Sequence, residues 1–518
     1  MVFLNAFYGI LDGLSWVLTN PTTLVILFAA VLVGTVVGAI PGLGSKIALT
    51  ILIPFTGWMA PYVALAFFLC ISESASFGDT IPAVLFRTPG TAGSAATAID
   101  GYPLAQQGKA GYALGAGAMA SFVGAVIGIT ISILFIPWLA EYVLAFGPPE
   151  YFWMAVLGIS IIAVVSKGTL AKGIVAGIVG LFISFIGYDL VTGKTRFTFG
   201  SMYLEDGIEF IPAMLGLFAV SEMLKLSTRT GQNDLVAAGD PGKDVWKGCL
   251  AVFKNPLTTV RSSVMGLFIG AIPGAGKAVA SFMAYMVAVR TSRHPETFGQ
   301  GEVQGIIASE SANNASGGGG GALIPTLTLG IPGSSGMALI LAGMTFHGIR
   351  SGPSFIIYEA DMMYAMFAAL LVGMVMALAV NLLLIKPVAK AVMIPNEIMV
   401  PLILIMAFLG AYALRFSMFD MFITLLFGVL GYFMDRYGYS TVCMVLAMIL
   451  GPIAEESFFQ AYKIGGRSFW IFFTRPISVG LIVVLVLALV GPSAYGFLKR
   501  TLSGRRGNGA APTPTAAG

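Results

Sequence analysis

Two copies of one phrase lie far apart in this chain: GAIPGLGSK at Gly38–Lys46 and GAIPGAGKA at Gly270–Ala278. Each is followed about 30 residues later by SESA, at Ser72–Ala75 and Ser309–Ala312, then by an Ile-Pro pair and a Pro-Gly turn. The copies are offset by 232 residues at the first phrase, 237 at SESA and 243 at Pro89-Gly90 against Pro332-Gly333. So small a drift over three motifs means that one ancestral unit was doubled and lightly interrupted. Whatever the chain folds into must accommodate the same Gly/Pro-broken segment twice.

The medium follows from composition. Charged residues are 10% of the 518 and hydrophobic ones 57%, whereas a soluble domain carries about 25% charge. Uncharged stretches long enough to cross about 30 Å of hydrocarbon recur, most clearly at Thr22–Ser45, Ile47–Ser72, Ala110–Ala140, Met362–Ile385 and Pro476–Leu498. With weaker ones, roughly 10–12 spans are expected. No period-two alternation suggests a barrel, so the expected fold is an all-α polytopic membrane protein. The first Lys or Arg is Lys46, so the N-terminus does not read as a cleavable signal peptide. Cys70, Cys249 and Cys443 are scattered and imply neither a disulfide framework nor a metal site. In a membrane chain, a doubled unit with breaks at matching places is the pattern of secondary transporters, which bind where the broken segments meet.

Basic residues cluster in a central connector, with Lys225, Arg229, Lys243, Lys247, Lys254 and Arg261 in or beside it, and in a tail with Lys499, Arg500, Arg505 and Arg506. The positive-inside rule puts both in the cytoplasm. The expected organisation is a first membrane repeat at 1–227, a cytoplasmic connector at 228–257, a second repeat at 258–500 and a disordered tail at 501–518. The second GAIPG follows the basic connector, while the only charge ahead of the first is Asp12. Opposite entry is therefore expected, which makes the repeats inverted.

Ser311–Ile349 has no Asp, Glu, Lys or Arg, yet it holds Gly317 to Gly321 in a row, then Pro325, Gly330, Pro332, Gly333 and Gly336. Glycine costs about 1 kcal/mol and proline about 3 in a helix interior, so no continuous helix is expected. A re-entrant hairpin fits, with Ser74–Ala98 as its first-repeat counterpart. Non-helical backbone at membrane depth has to be buried or to line a wet cavity.

GAGK at Gly274–Lys277 is not a nucleotide-binding loop, because that pattern needs Gly at 271 and Ser or Thr at 278, where Ala271 and Ala278 stand. As helix breaks, Gly42, Gly44, Gly274 and Gly276 instead start half-helices whose free N–H groups and positive dipole end suit an anion. Ser45, Lys46 and Lys277 sit just inside those half-helices. A lysine is unfavourable there unless it serves something negative or snorkels to the interface. Asn313, Asn314, Gly317, Gly333 and Ser334 add amides, hydroxyls and free backbone, and Arg87 beside Pro89 and Gly90 can grip a carboxylate bidentately. Glu73 and Glu310, with Ser74 and Ser311, recur at matching positions. Intramembrane carboxylates are costly and usually functional, which marks them as candidates for a coupling ion or as a structural pair.

The phrases GAIPGLGSKIALTILIPFT and SESANNASGGGGGALIPTLTLGIPGSSGMALILAGM, with Gly352-Pro353 beyond them, resemble the large membrane subunit of tripartite tricarboxylate transporters, the TctA family, over about residues 15–460. The resemblance implies a secondary carrier of elevator type in the bacterial inner membrane. It would receive a citrate-like carboxylate from a periplasmic binding protein (TctC-like), work with a small four-helix membrane subunit (TctB-like), and use a Na+ or H+ gradient. No cofactor other than that ion, no enzyme activity, no nucleic acid and no ATPase is implied. The first hairpin departs most from the pattern, with SFGDTIPAVLFRTPGTAGS in place of the glycine run. A channel or exchanger for small organic anions is the alternative, since it would use the same re-entrant loops.

Overall fold

The helices follow from the apolar runs, and their ends from the Gly/Pro breaks. The computed structural model describes residues 2–41, 43–143, 145–165, 170–189, 193–228, 240–391, 395–487 and 489. Gly42, part of the connector and the expected disordered tail lie outside the described residues. Within them the β-structure is one two-residue antiparallel pair, Gly187–Tyr188 with Thr195–Arg196. Among the described residues, eight helices are long and apolar enough to cross a membrane: Pro21–Ala39, Pro61–Phe86, Thr97–Leu139, Phe210–Ser227, Ala360–Leu383, Glu397–Arg415, Met418–Arg436 and Thr441–Ile464. Four shorter apolar helices accompany them, and two of these, Gly44–Thr56 and Ser335–Phe346, begin at the breaks the sequence marks. Ile398, Leu402, Ile405 and Leu409 form an exposed stripe along one helix face, as expected of a lipid-facing surface. The chain is an all-α, multi-pass membrane protein.

The two copies make matching close approaches. A Cβ on Gly78 would lie 2.1 Å from the Thr35 carbonyl oxygen, and one on Gly321 would lie 2.1 Å from that of Leu267. Thr35 and Leu267 are offset by the same 232 residues as the GAIPG phrases. Likewise Gly90 abuts the backbone of Asp79, and Gly333 that of Ala322. Arg87 and Gly330 both close a short helix in the left-handed region, each giving its N–H to a proline carbonyl, Pro82 and Pro325. The first copy uses arginine where the second uses glycine, at a strain of roughly 1 kcal/mol.

The six-residue growth of the offset between SESA and the Pro-Gly has a visible location. In the first copy the Pro61–Gly78 helix runs through Asp79 into Thr80–Phe86. In the second, Val303–Ala315 ends, and turns containing Gly317–Gly321 intervene before Leu323–Leu329. Glycine is needed on both sides of the packing. Gly34 and Gly38 on Pro21–Ala39 touch Ile71 and Ala75, while Gly266 and Gly270 on Pro256–Ala271 touch Ala312 and Ser316. This small-xxx-small spacing lets helix backbones approach closely in a membrane.

Candidate functional site

Both broken segments open onto one cavity of about 630 Å³. Its wall includes the N-termini of five helices: Gly44–Leu52, the short Ala92–Ala95 turn, Gly276–Thr291, Ser335–Phe346 and Thr441–Ile464. Three of these ends are capped by a side chain. Thr91 Oγ1 accepts from Gly93 N–H at 3.2 Å, Ser334 Oγ from Met337 N–H at 3.3 Å, and Ser440 Oγ from Cys443 N–H at 3.2 Å. The two helices that start after the GAIPG phrases have Leu43 and Ala275 at the cap position and no side-chain cap. Their first N–H groups and positive dipole ends are therefore presented to the cavity, where an anion gains typically 0.3–1 kcal/mol per helix end, and up to ~2 when partly buried. Lys46 is exposed on the same wall.

Lys277 lies on that wall too, but its ammonium points at the first repeat. Its Nζ is 3.2 Å from Glu73 Oε1 and 3.5 Å from the Ser72 carbonyl oxygen, and it donates to Ser76 Oγ. The negative group that a lysine at a helix N-terminus requires is thus Glu73, a fully buried side chain. Gly318 N–H also donates to Glu73 Oε1 at 2.5 Å, and Asn314 Nδ2 to the Glu73 carbonyl at 3.4 Å. A Cβ on Gly317 would lie 2.4 Å from Glu73 Oε1 and 2.7 Å from Lys277 Nζ. The glycine run is therefore a tight cover over this ion pair.

Glu310 is held differently, although it occupies the matching position. Thr97 Oγ1 donates to its Oε1 at 2.5 Å, and Ser121 Oγ (3.1 Å) and Asn313 Nδ2 (3.4 Å) donate to its Oε2. Asn313 packs against Gly93 of the cavity wall, where a Cβ would lie 2.1 Å from Asn313 Oδ1. Beside it, Asp79 accepts from Thr91 Oγ1. Among the described residues, the buried oxygens of this layer without a hydrogen-bond partner include Glu73 Oε2, Asp79 Oδ1, Ser311 Oγ, Asn313 Oδ1 and Asn314 Oδ1. Buried oxygens are normally satisfied. A set this rich in oxygen matches hard-cation chemistry, in which transporter sites use backbone and side-chain oxygens. Among the described residues no group of three or more His, Cys, Asp or Glu is placed to hold a metal ion.

Of the residues the sequence singled out, Gly44, Ser45, Lys46, Gly90, Gly274, Gly276, Lys277 and Ser334 line the cavity. Glu73, Glu310, Ser311, Asn313 and Asn314 are buried, and the contacts above tie Glu73 and Asn313 directly to its wall. Gly333 stands at the join of the two breaks, its carbonyl accepting from Gly274 N–H at 3.0 Å. Ser74 turns away and donates to the Cys70 carbonyl of its own helix at 2.6 Å. Arg87 and Pro89 are not on the wall; Arg87 is exposed, 6.0 Å over the Tyr102 ring. Gly42 lies outside the described residues. Sequence reasoning assigned no role to Asp79, Thr91, Thr97 or Ser121. Asp79 had a usable signal, a lone carboxylate in an apolar run, whereas the hydroxyls had none.

A family model described as "Tripartite tricarboxylate transporter TctA family" matches residues 24–446. The chain belongs to that family. It is 33% identical over 471 residues to an uncharacterized 52.8 kDa protein in the TAR-I ttuC' 3' region of Agrobacterium vitis, covering 91% of this chain and 93% of that one. An uncharacterized protein in the TAR-II ttuC' 3' region of the same organism is 34% identical over 229 residues, covering 43% of this chain and 94% of that one. No solved structure matches the chain. As a TctA-family protein it is a transporter permease, the large subunit of a tripartite system, and the match spans both GAIPG copies and the whole cavity layer.

Proposed function

We propose that this permease imports citrate-like tri- or dicarboxylates across the bacterial inner membrane as a secondary active symporter driven by a Na+ or H+ gradient. A periplasmic binding protein delivers the substrate, and a small membrane subunit completes the complex. The observation that carries the substrate class is the cavity, where two uncapped helix N-termini and Lys46 converge on space enough for a small polycarboxylate. The coupling ion is drawn to the layer behind it, where Glu73 and Glu310 are buried beside oxygens that lack donors. Lys225 lines the cavity three residues before the connector. With the connector cytoplasmic by the positive-inside rule, this is an inward-facing state, and inverted repeats moving as an elevator carry the site to the other side.

The test uses the chain's own chemistry. Its three cysteines are buried, so maleimide labelling has little background. Ser45→Cys and Ala278→Cys place a thiol on the cavity wall, and Tyr358→Cys places one on exposed surface. Citrate or succinate should slow labelling at the first two and leave the third unchanged. Equal labelling rates with and without every carboxylate tried would refute the assignment.

A further inference from the structure

The two carboxylates of the repeats are matched in sequence and unlike in chemistry. Glu310 is held by hydroxyls and an amide, whereas Glu73 faces an ammonium that arrives from the other repeat. At the offset of the GAIPG phrases, the residue matching Lys277 is Ser45, so the doubled unit carries this cation once. The position of Lys277 Nζ is defined by oxygens alone: Glu73 Oε1, Ser76 Oγ and the Ser72 carbonyl. A carboxylate, a hydroxyl and a main-chain carbonyl are hard oxygen donors, the kind that suits a hard cation such as Na+. Glu73 Oε2, close by, has no partner.

We propose that the Lys277 ammonium is a tethered occupant of a Na+ site, exchanged for Na+ when a carboxylate enters the cavity. The inference rests on the carboxylate-carrier reading above and gives it a coupling mechanism. Lys277 is the residue that can make the move. It lies in the first turn of Gly276–Thr291 on the cavity wall, is partly exposed, and has a flexible four-carbon stem. A carboxylate at that helix end competes with Glu73 for the same ammonium. If Lys277 turns to the ligand, Glu73 is left fully buried with an uncompensated charge, which is strongly unfavourable. A cation must then take the vacated position. Several oxygens converge there, which Na+ can coordinate together and a single proton cannot. Anion and cation therefore bind together, and by linkage each raises the affinity for the other equally.

The experiment is equilibrium binding of 22Na+ and labelled citrate or succinate to the full chain in lipid nanodiscs. Wild type should retain Na+ only with a carboxylate present, and its carboxylate affinity should rise about tenfold with saturating Na+. Lys277→Met and Lys277→Gln should bind Na+ without any carboxylate, and adding Glu73→Gln should abolish that binding. Carboxylate binding to wild type that is indifferent to Na+ overturns the exchange, and this holds even if the variants do not purify. So does Na+-free Lys277→Met, or proton uptake by it in place of Na+. Wild type that binds no carboxylate at all instead overturns the carrier reading on which the exchange stands.

Discussion

The contacts that seat the two breaks can be tested at one atom each. In Gly38→Ala the new methyl would lie 2.1 Å from the Ala75 carbonyl oxygen and 2.6 Å from Ala75 Cα. Optimal non-bonded separation is about 3.5–4.0 Å, so Pro21–Ala39 and Pro61–Gly78 must part by more than ~1 Å. The obstacle is backbone, which cannot rotate away. Overpacking of this kind costs about 1–3 kcal/mol, and better helix propensity returns up to ~1, leaving a net loss of up to about 2 kcal/mol. The Gly38 carbonyl also presses on Gly90, where a Cβ would lie only 2.0 Å away, so the shift reaches the cavity wall. Gly270→Ala repeats the situation in the second copy, with the methyl 2.3 Å from the Ser316 carbonyl. Gly480→Ala is the control, having nothing within 4 Å and no left-handed backbone. Thermal unfolding read by size-exclusion chromatography should rank both packing variants below wild type and Gly480→Ala at or above it. Carboxylate uptake should fall in the packing variants beyond what their abundance explains. If Gly38→Ala and Gly270→Ala are as stable and as active as Gly480→Ala, the close-packed breaks are wrong.

Other outcomes follow from single contacts. Thr97→Val removes the 2.5 Å donor to Glu310, leaving that carboxylate under-satisfied; a loss of about 1–3 kcal/mol and reduced uptake are expected in stability and transport assays. Asp420→Ala strips Arg415 of a two-point partner at 3.0 and 2.6 Å on a buried carboxylate. Because Arg415 is partly exposed, the destabilisation should sit at the low end of the roughly 3–5 kcal/mol range for breaking a buried pair. Asp100→Ala orphans the N–H groups of Gly299, Gly301 and Glu302 and the Tyr285 hydroxyl, so faster proteolysis within 292–302 is expected. Lys46→Gln should raise the KM for carboxylate several-fold, while Arg87→Gln, away from the cavity, should leave it unchanged.

The helix breaks were legible in the sequence because they are made of residues whose backbone chemistry is local. Pro-Gly-x-Gly stops a helix wherever it stands, and an uncharged run is helical wherever lipid surrounds it. The cavity-lining residues Gly44, Ser45, Lys46, Gly276 and Lys277 were found for that reason. The rest is tertiary. Nothing in the spacing of Thr97 or Ser121 says that they reach Glu310 across the repeat boundary. Nothing near Arg87 says that its helix turns it outward while Asp79 points in. The cavity wall also takes Leu217, Phe218 and Ser221 from a helix with a π-turn at Leu215–Val220, a distortion that packing decides rather than composition. The unlike fates of Glu73 and Glu310 could not be read either, since both stand in the same SESA.

The most direct measurement of the central claim is uptake of labelled citrate and succinate by proteoliposomes holding this chain with its small membrane subunit. The binding protein is added outside, and a Na+ gradient is compared with a proton gradient. Accumulation against the carboxylate gradient that needs the binding protein and the imposed Na+ gradient is the predicted result. Flux that runs only down the carboxylate gradient, whatever cation gradient is imposed, would contradict the account.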